Sequence, residues 1–183
     1  MENLLINDPR AGFIILIVLT IADLFFGKRA GSAGTKSRSE FIEYETTVSR
    51  DMGPVAYFAL ILLKISPPFL IALTWAAAKA SGSEIVAILY AGLLGFTLAL
   101  YLIINLRHLE SALINKMVGY FREDLSGKIL IRRRFSLGQS TIQIFSIFII
   151  FLVVALVKPT PLFIGFALAP VALIIRNIIV IKK

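Results

Sequence analysis

Five apolar segments separated by polar ones dominate the chain, at about residues 11–27, 54–78, 85–106, 137–157 and 162–180. A helix needs about 20 apolar residues to cross a bilayer, and each segment is near that length. The pattern predicts an all-α, multi-pass integral membrane protein in which residues 1–183 form one domain. Residues 28–53 and 107–136 are then the two longest polar loops.

The loop at 28–53 contains a second periodic pattern. Ser37 and Glu40 have the spacing of a helix capping box, and apolar residues recur on one helical face after them at Phe41, Tyr44, Val48 and Met52. This predicts an amphipathic helix that lies on the membrane surface.

The distribution of Lys and Arg predicts the orientation. Three alternate segments, from Lys28 to Gly53, from Arg107 to Ser136 and from Arg176 to the end, contain five, seven and three Lys or Arg residues, and the other three contain one each. Cytoplasmic loops carry the excess of cations, so we expect the N-terminus outside and the C-terminus in the cytoplasm.

Composition supports a membrane location and excludes several chemistries. Hydrophobic residues make up 58% of the chain and charged residues 16%. The net charge of +8 would suggest nucleic acid in a soluble protein, but here the cations lie between apolar spans, so we expect anionic lipid and not nucleic acid as their partner. There is no cysteine and His108 is the only histidine, so we expect neither a cysteine or multi-histidine metal site nor a cofactor.

The second apolar segment carries a lysine near its midpoint. Lys64 costs about 2.5–3.5 kcal/mol at that depth on insertion scales. Pro67 and Pro68 have no N–H to donate to the carbonyls of Leu63 and Lys64, so two backbone acceptors are left open. The sequence therefore predicts a helix interrupted at mid-membrane, with a polar group that must find partners.

Asp23 is the nearest acidic residue at similar depth. It lies in the first segment, about four residues beyond the midpoint, and antiparallel helices would bring it within one or two turns of Lys64. One interpretation is structural: an ion pair that fixes the rotation of two helices, or a lysine that extends toward the interface. The other is functional: a gate or binding site in which Lys64, Asp23, Ser66 and Gln143 face a hydrated cavity.

The third apolar segment contains small residues at intervals of four: Ala87, Ala91, Gly95 and Ala99. In lipid, a row of small side chains allows another helix to approach closely. We therefore expect this segment to be central to the bundle and the row to face a neighbouring helix.

Other polar residues lie near the cytoplasmic end of the third segment and on the surface helix: Asn105, Arg107, His108 and Glu110, with Glu43 and Glu45. Such a group could perform acid-base or lipid-phosphate chemistry, although Arg and His near helix ends more commonly act as interfacial anchors. Arg132, Arg133 and Arg134 form a basic cluster that we expect to contact anionic lipid.

Three functions remain open. The first is a non-catalytic subunit or assembly partner in a homo- or hetero-oligomeric membrane complex. The second is a small oligomeric transporter or channel with its polar site at Lys64. The third is a membrane-embedded enzyme that acts on lipid at the cytoplasmic face, which is disfavoured because HExxH and GxSxG motifs are absent. Membrane lipids and other membrane chains are the expected partners.

Overall fold

Five helices account for most of the structure, a computed structural model that describes residues 9–34, 42–44, 54–120, 129–131 and 133–182. Side chains are described for 10–26, most of 58–110, 113, 137–179 and 181. The helices are α1 (Pro9–Gly34), α2 (Pro54–Ser81), α3 (Glu84–Tyr120), α4 (Arg133–Val157) and α5 (Pro161–Lys182). Three segments are long and apolar enough over their described residues to cross a membrane: Glu84–Glu110, Leu137–Val157 and Pro161–Ile179. The prediction of an all-α membrane protein is confirmed.

The surfaces of the bundle are strongly apolar. On α1, Ile14 is 61% exposed, and on α4, Ile150 is 61% exposed. Large exposed apolar surfaces are rare in water-soluble monomers, whereas lipid chains solvate them well. The outer faces therefore suit a membrane environment.

α1 is longer than the first apolar segment. The sequence pattern predicts a polar loop from Lys28, but the helix continues to Gly34. Once a helix has been nucleated, each added residue gains one hydrogen bond, so extending α1 by a few polar residues beyond the apolar core costs little.

Two short strands connect the polar loops. β1 (Ile42–Tyr44) pairs in parallel with β2 (Ile129–Ile131), with Ile42 opposite Ile129 and Tyr44 opposite Ile131. The amphipathic helix predicted around Phe41 and Tyr44 is therefore wrong at these three residues, because pairing with a distant strand overrides the local helical period. The rest of that segment lies outside the described residues.

α2 runs without interruption through Pro67 and Pro68. The predicted break at mid-membrane is not present. A proline in a membrane helix removes a hydrogen bond, but neighbouring helices can supply a donor to the freed carbonyl, and the helix then continues. The turn after α2 places Gly82 at a φ of 60°, the left-handed conformation that commonly ends a helix.

α3 is the central helix of the bundle and packs against α1, α2 and α5. One buried cluster joins these four helices and includes Leu16, Ile71, Leu94 and Leu162. A second cluster of Ile103, Ile144 and Leu173 joins α3 and α5 to α4. The central position of α3 brings residues of α1 and α2 together on one of its faces.

The contact between α3 and α5 depends on glycine. A Cβ atom on Gly95 would lie 2.0 Å from the carbonyl oxygen of Leu162, and one on Gly165 would lie 2.1 Å from the carbonyl oxygen of Gly92. Ala91 and Ala99 are buried on the same side, whereas Ala87 is exposed. Three of the four small residues of the predicted row thus lie in the bundle, and Ala87 does not.

Candidate functional site: a buried carboxylate shared by three helices

Asp23 on α1 is the centre of the polar cluster and is 2% exposed. Lys64 of α2 approaches it, with Nζ 2.9 Å from Asp23 Oδ2. The two residues predicted to meet are therefore brought together. A charge-assisted contact at this distance offsets much of the cost of removing both groups from water.

His108 of α3 approaches the other carboxylate oxygen. Its Nε2 lies 3.0 Å from Asp23 Oδ1, although the N–H is not aligned for a good hydrogen bond. The contact is therefore best described as a close electrostatic one. The carboxylate thus lies between Lys64 and His108, and it links three helices.

The two partners are more accessible than the carboxylate. The side chain of Lys64 is 29% exposed and that of His108 is 28% exposed, against 3% for Asp23. The arrangement is a buried anion with two nitrogen groups that extend from it toward the surface of the bundle.

Tyr101 of α3 satisfies part of the backbone of α2. Its hydroxyl donates a hydrogen bond to the carbonyl of Lys64. That carbonyl is the one that Pro68 leaves without its helical partner. The bond explains why α2 can remain a helix at this point, and it makes α3 a second anchor for the backbone that carries Lys64.

Asn105 and Thr20, near the cluster, donate hydrogen bonds to backbone carbonyls. Asn105 Nδ2 donates to the carbonyl of Leu19 at 2.9 Å and to that of Tyr101 at 2.8 Å, which ties α3 to α1. Thr20 Oγ1 donates to the carbonyl of Leu16 at 2.7 Å within α1. Asp23 Oδ1 and Asn105 Oδ1 are buried and have no hydrogen-bond partner among the described residues.

The chemistry available here is limited by the donor set. A single carboxylate with one amine and one imidazole can hold or exchange a proton. In the part of the chain whose side chains are described, no group of three His, Asp or Glu residues could hold a metal ion.

A second polar cluster lies where α3, α4 and α5 meet. Glu110 accepts hydrogen bonds from Gln143 Nε2 and, at 3.3 Å, from Gln139 Nε2. Asn177, which is 1% exposed, donates to Ser140 Oγ at 3.4 Å and to Thr141 Oγ1 at 3.3 Å. The polar face of α4 therefore points to protein and holds the helix against its neighbours.

The remaining predicted site residues are distributed over separate places. Gln143 binds Glu110 and does not join Lys64. Ser66 is half-buried on α2, and two residues along a helix it points about 200° away from Lys64. The predicted group of Asn105, Arg107, His108 and Glu110 does not form one cluster. His108 contacts Asp23, and Glu110 accepts a hydrogen bond from α4.

Two predicted groups lie outside the described side chains. Arg132 lies outside the described residues, as do the side chains of Arg133 and Arg134 at the start of α4, so their contact with anionic lipid stays a prediction. Glu45 and the side chain of Glu43 also lie outside.

Sequence reasoning did not assign His108 to the Asp23 cluster. The sequence pattern groups it instead with its chain neighbours Asn105, Arg107 and Glu110 at the end of the third apolar segment. The available signal was depth. If consecutive spans are antiparallel, residues near the C-terminal end of the third apolar segment lie on the same membrane side as those near the C-terminal end of the first, and the chain positions allow that depth to be counted.

Comparisons with known proteins give no relative: no family model, curated protein or solved structure matches this chain.

Proposed function

We propose that this protein is a non-catalytic, five-span membrane protein that serves as a subunit or assembly partner in a homo- or hetero-oligomeric complex. In this proposal the N-terminus is outside and the C-terminus is cytoplasmic. The Asp23 cluster holds α1, α2 and α3 in a fixed arrangement. The observation that carries it is the contact of Asp23 with Lys64 and His108 on two other helices.

The charge balance of the cluster supports a structural role. The Asp23 carboxylate has Lys64 against one oxygen and His108 against the other, and Tyr101 donates a hydrogen bond to the carbonyl that Pro68 frees. Neutralising a buried charge within the protein is a sufficient reason for these residues to be present. The continuous α2 also removes the interrupted helix on which a pathway past Lys64 would depend.

The position of α4 supports a role in assembly. α4 packs against α5 along a narrow stripe that includes Ser140, Ile144 and Ala155. Its other faces are apolar and exposed, with Ile150 at 61% and Leu156 at 72%. Leu137–Val157 of this helix is 11% buried, against 50% and 39% for the other two segments long and apolar enough to cross a membrane, so we expect a partner chain there.

Native mass spectrometry of gently solubilised protein tests this function. We expect the full chain to appear with other membrane chains or as a homo-oligomer. Ile150→Trp on α4 should weaken that assembly, because a bulky ring obstructs a helix contact but is tolerated by lipid. Leu73→Trp on α2, at a site that is 66% exposed, is the matched control and should not. A monomer under all mild conditions would contradict the proposal.

One observation favours a second candidate, a proton-coupled transporter. Lys64 and His108 are both partly exposed and both touch the buried carboxylate, so protons could pass between Asp23 and the surface. A pH-sensitive dye inside vesicles with reconstituted protein would detect such flux. Flux that is lost in Asp23→Asn while the protein still folds would favour the transporter. Absence of flux in the unaltered protein would reject it.

A further inference from the structure

Two buried oxygen atoms at the contact of α1 with α3 have no donor. Asp23 Oδ1 and Asn105 Oδ1 accept no hydrogen bond from the described residues. The residues that carry them are 2% and 8% exposed. Leaving a buried acceptor unpaired is costly, so native proteins nearly always supply a donor, either from the chain or from a bound water.

The two oxygens lie near the same turn of α1. Asn105 Nδ2 donates to the carbonyl of Leu19 at 2.9 Å, one turn before Asp23. Side chains on a helix lean toward its N-terminus, so the Asp23 carboxylate extends back over that turn. His108, three residues after Asn105 on α3, contacts Asp23 Oδ1 itself at 3.0 Å. The amide and the imidazole of α3 therefore flank the carboxylate.

The orientation of the Asn105 amide is fixed by its donors. Nδ2 donates to two backbone carbonyls, that of Leu19 across the contact and that of Tyr101 in the preceding turn of α3. A flipped amide would place an oxygen against both carbonyl oxygens, so the contacts allow only this assignment. Because Nδ2 is directed back toward Tyr101, Oδ1 of the planar amide is directed forward, to the level of His108 and Asp23.

We propose that one water molecule binds between Asp23 Oδ1 and Asn105 Oδ1 and donates a hydrogen bond to each. With contacts of about 2.8 Å, a water connects acceptors about 4.5 Å apart, which is less than one helical turn. A metal cation suits these oxygens less well, because Lys64 Nζ, 2.9 Å from the other carboxylate oxygen, already supplies a positive charge. Buried waters commonly make about three hydrogen bonds, and the imidazole of His108 contacts the same oxygen and can provide the third.

This water gives the buried carboxylate a partner that can exchange protons. It lies beside His108, whose side chain is 28% exposed against 3% for Asp23. Protons can therefore reach the carboxylate through hydrogen-bonded groups and not through the apolar core. The inference does not depend on whether the cluster carries protons or only holds the helices, because both functions leave the same two acceptors to satisfy.

A crystal structure of the full chain grown in a lipid phase, at a resolution that shows ordered water, tests the site. We expect one peak within hydrogen-bond distance of both oxygens. Asn105→Leu, which keeps the size of the side chain but removes one acceptor, should lose the peak. Thr20→Val is the matched control and should keep it, because the Thr20 hydroxyl donates to Leu16 of its own helix. The proposal is wrong if the unaltered protein has no such peak, if the peak persists in Asn105→Leu, or if it lies at metal-ligand distances.

Thermal unfolding in detergent provides a second measurement, which does not depend on crystals. Asp23→Leu and Asn105→Leu should be non-additive, with the double variant melting at a higher temperature than the sum of the two losses predicts, because both changes remove partners of the same water. Asp23→Leu combined with Asn177→Leu is the control and should be additive, since Asn177 is buried against Ser140 and Thr141 of α4. Additivity of the Asp23 and Asn105 changes would overturn the proposal.

Discussion

The hydroxyl of Tyr101 donates a hydrogen bond to the carbonyl of Lys64, which Pro68 leaves without its normal helical partner. One residue of α3 thus compensates for a proline in α2. The same turn of α2 carries the Lys64 side chain to Asp23 on α1. The backbone carbonyl of Lys64 is therefore bound by α3 and its side chain by α1. Together these two contacts fix the rotation of α2 about its axis.

Tyr101→Phe should destabilise the protein by about 1 kcal/mol, because it removes one interhelical hydrogen bond in an apolar environment. Thermal unfolding in detergent would measure the loss. Pro68→Ala is the informative second change, because alanine restores an N–H for the Lys64 carbonyl. We expect Tyr101→Phe to cost less when Pro68→Ala is present. An equal cost in both backgrounds would mean that the hydroxyl does not replace the missing bond.

The Asp23 and Lys64 pair can be tested by a double-mutant cycle. Asp23→Asn and Lys64→Met should each destabilise the protein by about 1–3 kcal/mol, because each leaves a charge without its partner. The double variant should be less destabilised than the sum of the two. Unfolding temperatures of the four proteins measure this, and strict additivity would reject direct pairing.

His108 provides a check on the same cluster. His108→Phe should lower stability less than Asp23→Asn, because the Asp23 carboxylate keeps its contact with Lys64. Denaturation of both variants side by side gives the comparison. A larger loss for His108→Phe would identify the histidine as the main partner of the carboxylate.

The crossing of α3 and α5 should tolerate no side chain at Gly95. Gly95→Ala places a methyl group against the carbonyl of Leu162 and should cost about 1–3 kcal/mol through overpacking. Gly138 on α4 is the matched control, because a Cβ there meets nothing within 4 Å. Gly138→Ala should be neutral or stabilising by up to about 1 kcal/mol. Equal effects of the two changes in an unfolding assay would contradict the close crossing.

The orientation can be measured by labelling single cysteines, because the chain has none of its own. Ser81→Cys, at the exposed end of α2, should react with an impermeant reagent added outside intact cells. Ser32→Cys and Ser126→Cys should react only after the membrane is opened. The reverse pattern would invert the orientation derived from the Lys and Arg distribution.

The sequence carried enough information to bring Asp23 and Lys64 together, because depth in a membrane can be counted along a helix. It did not reveal the role of Tyr101, since the donor to a proline-freed carbonyl comes from a helix 37 residues away in the chain. The continuity of α2 could not be predicted for the same reason. A break and a compensated helix have identical local sequences, and only the position of α3 distinguishes them.

Gly95 and Ala87 illustrate a second limit. Four small residues at intervals of four appear equivalent in the sequence, yet Gly95 meets α5 and Ala87 is exposed. Two helices that cross at an angle contact each other over only a few turns. A periodic pattern predicts which side of a helix is close to a neighbour, but the neighbour determines where that contact ends.

The short pairing of β1 with β2 requires an even number of membrane crossings between the two strands. Ile42 and Ile129 can be hydrogen-bonded neighbours only if both loops lie on the same side of the bilayer. The helices described between them are α2 and α3, and each crossing changes the side. If α3, which is long and apolar enough, crosses, then α2 must cross as well. Six residues of strand thus predict a helical hairpin whose turn, at Gly82, emerges on the opposite face.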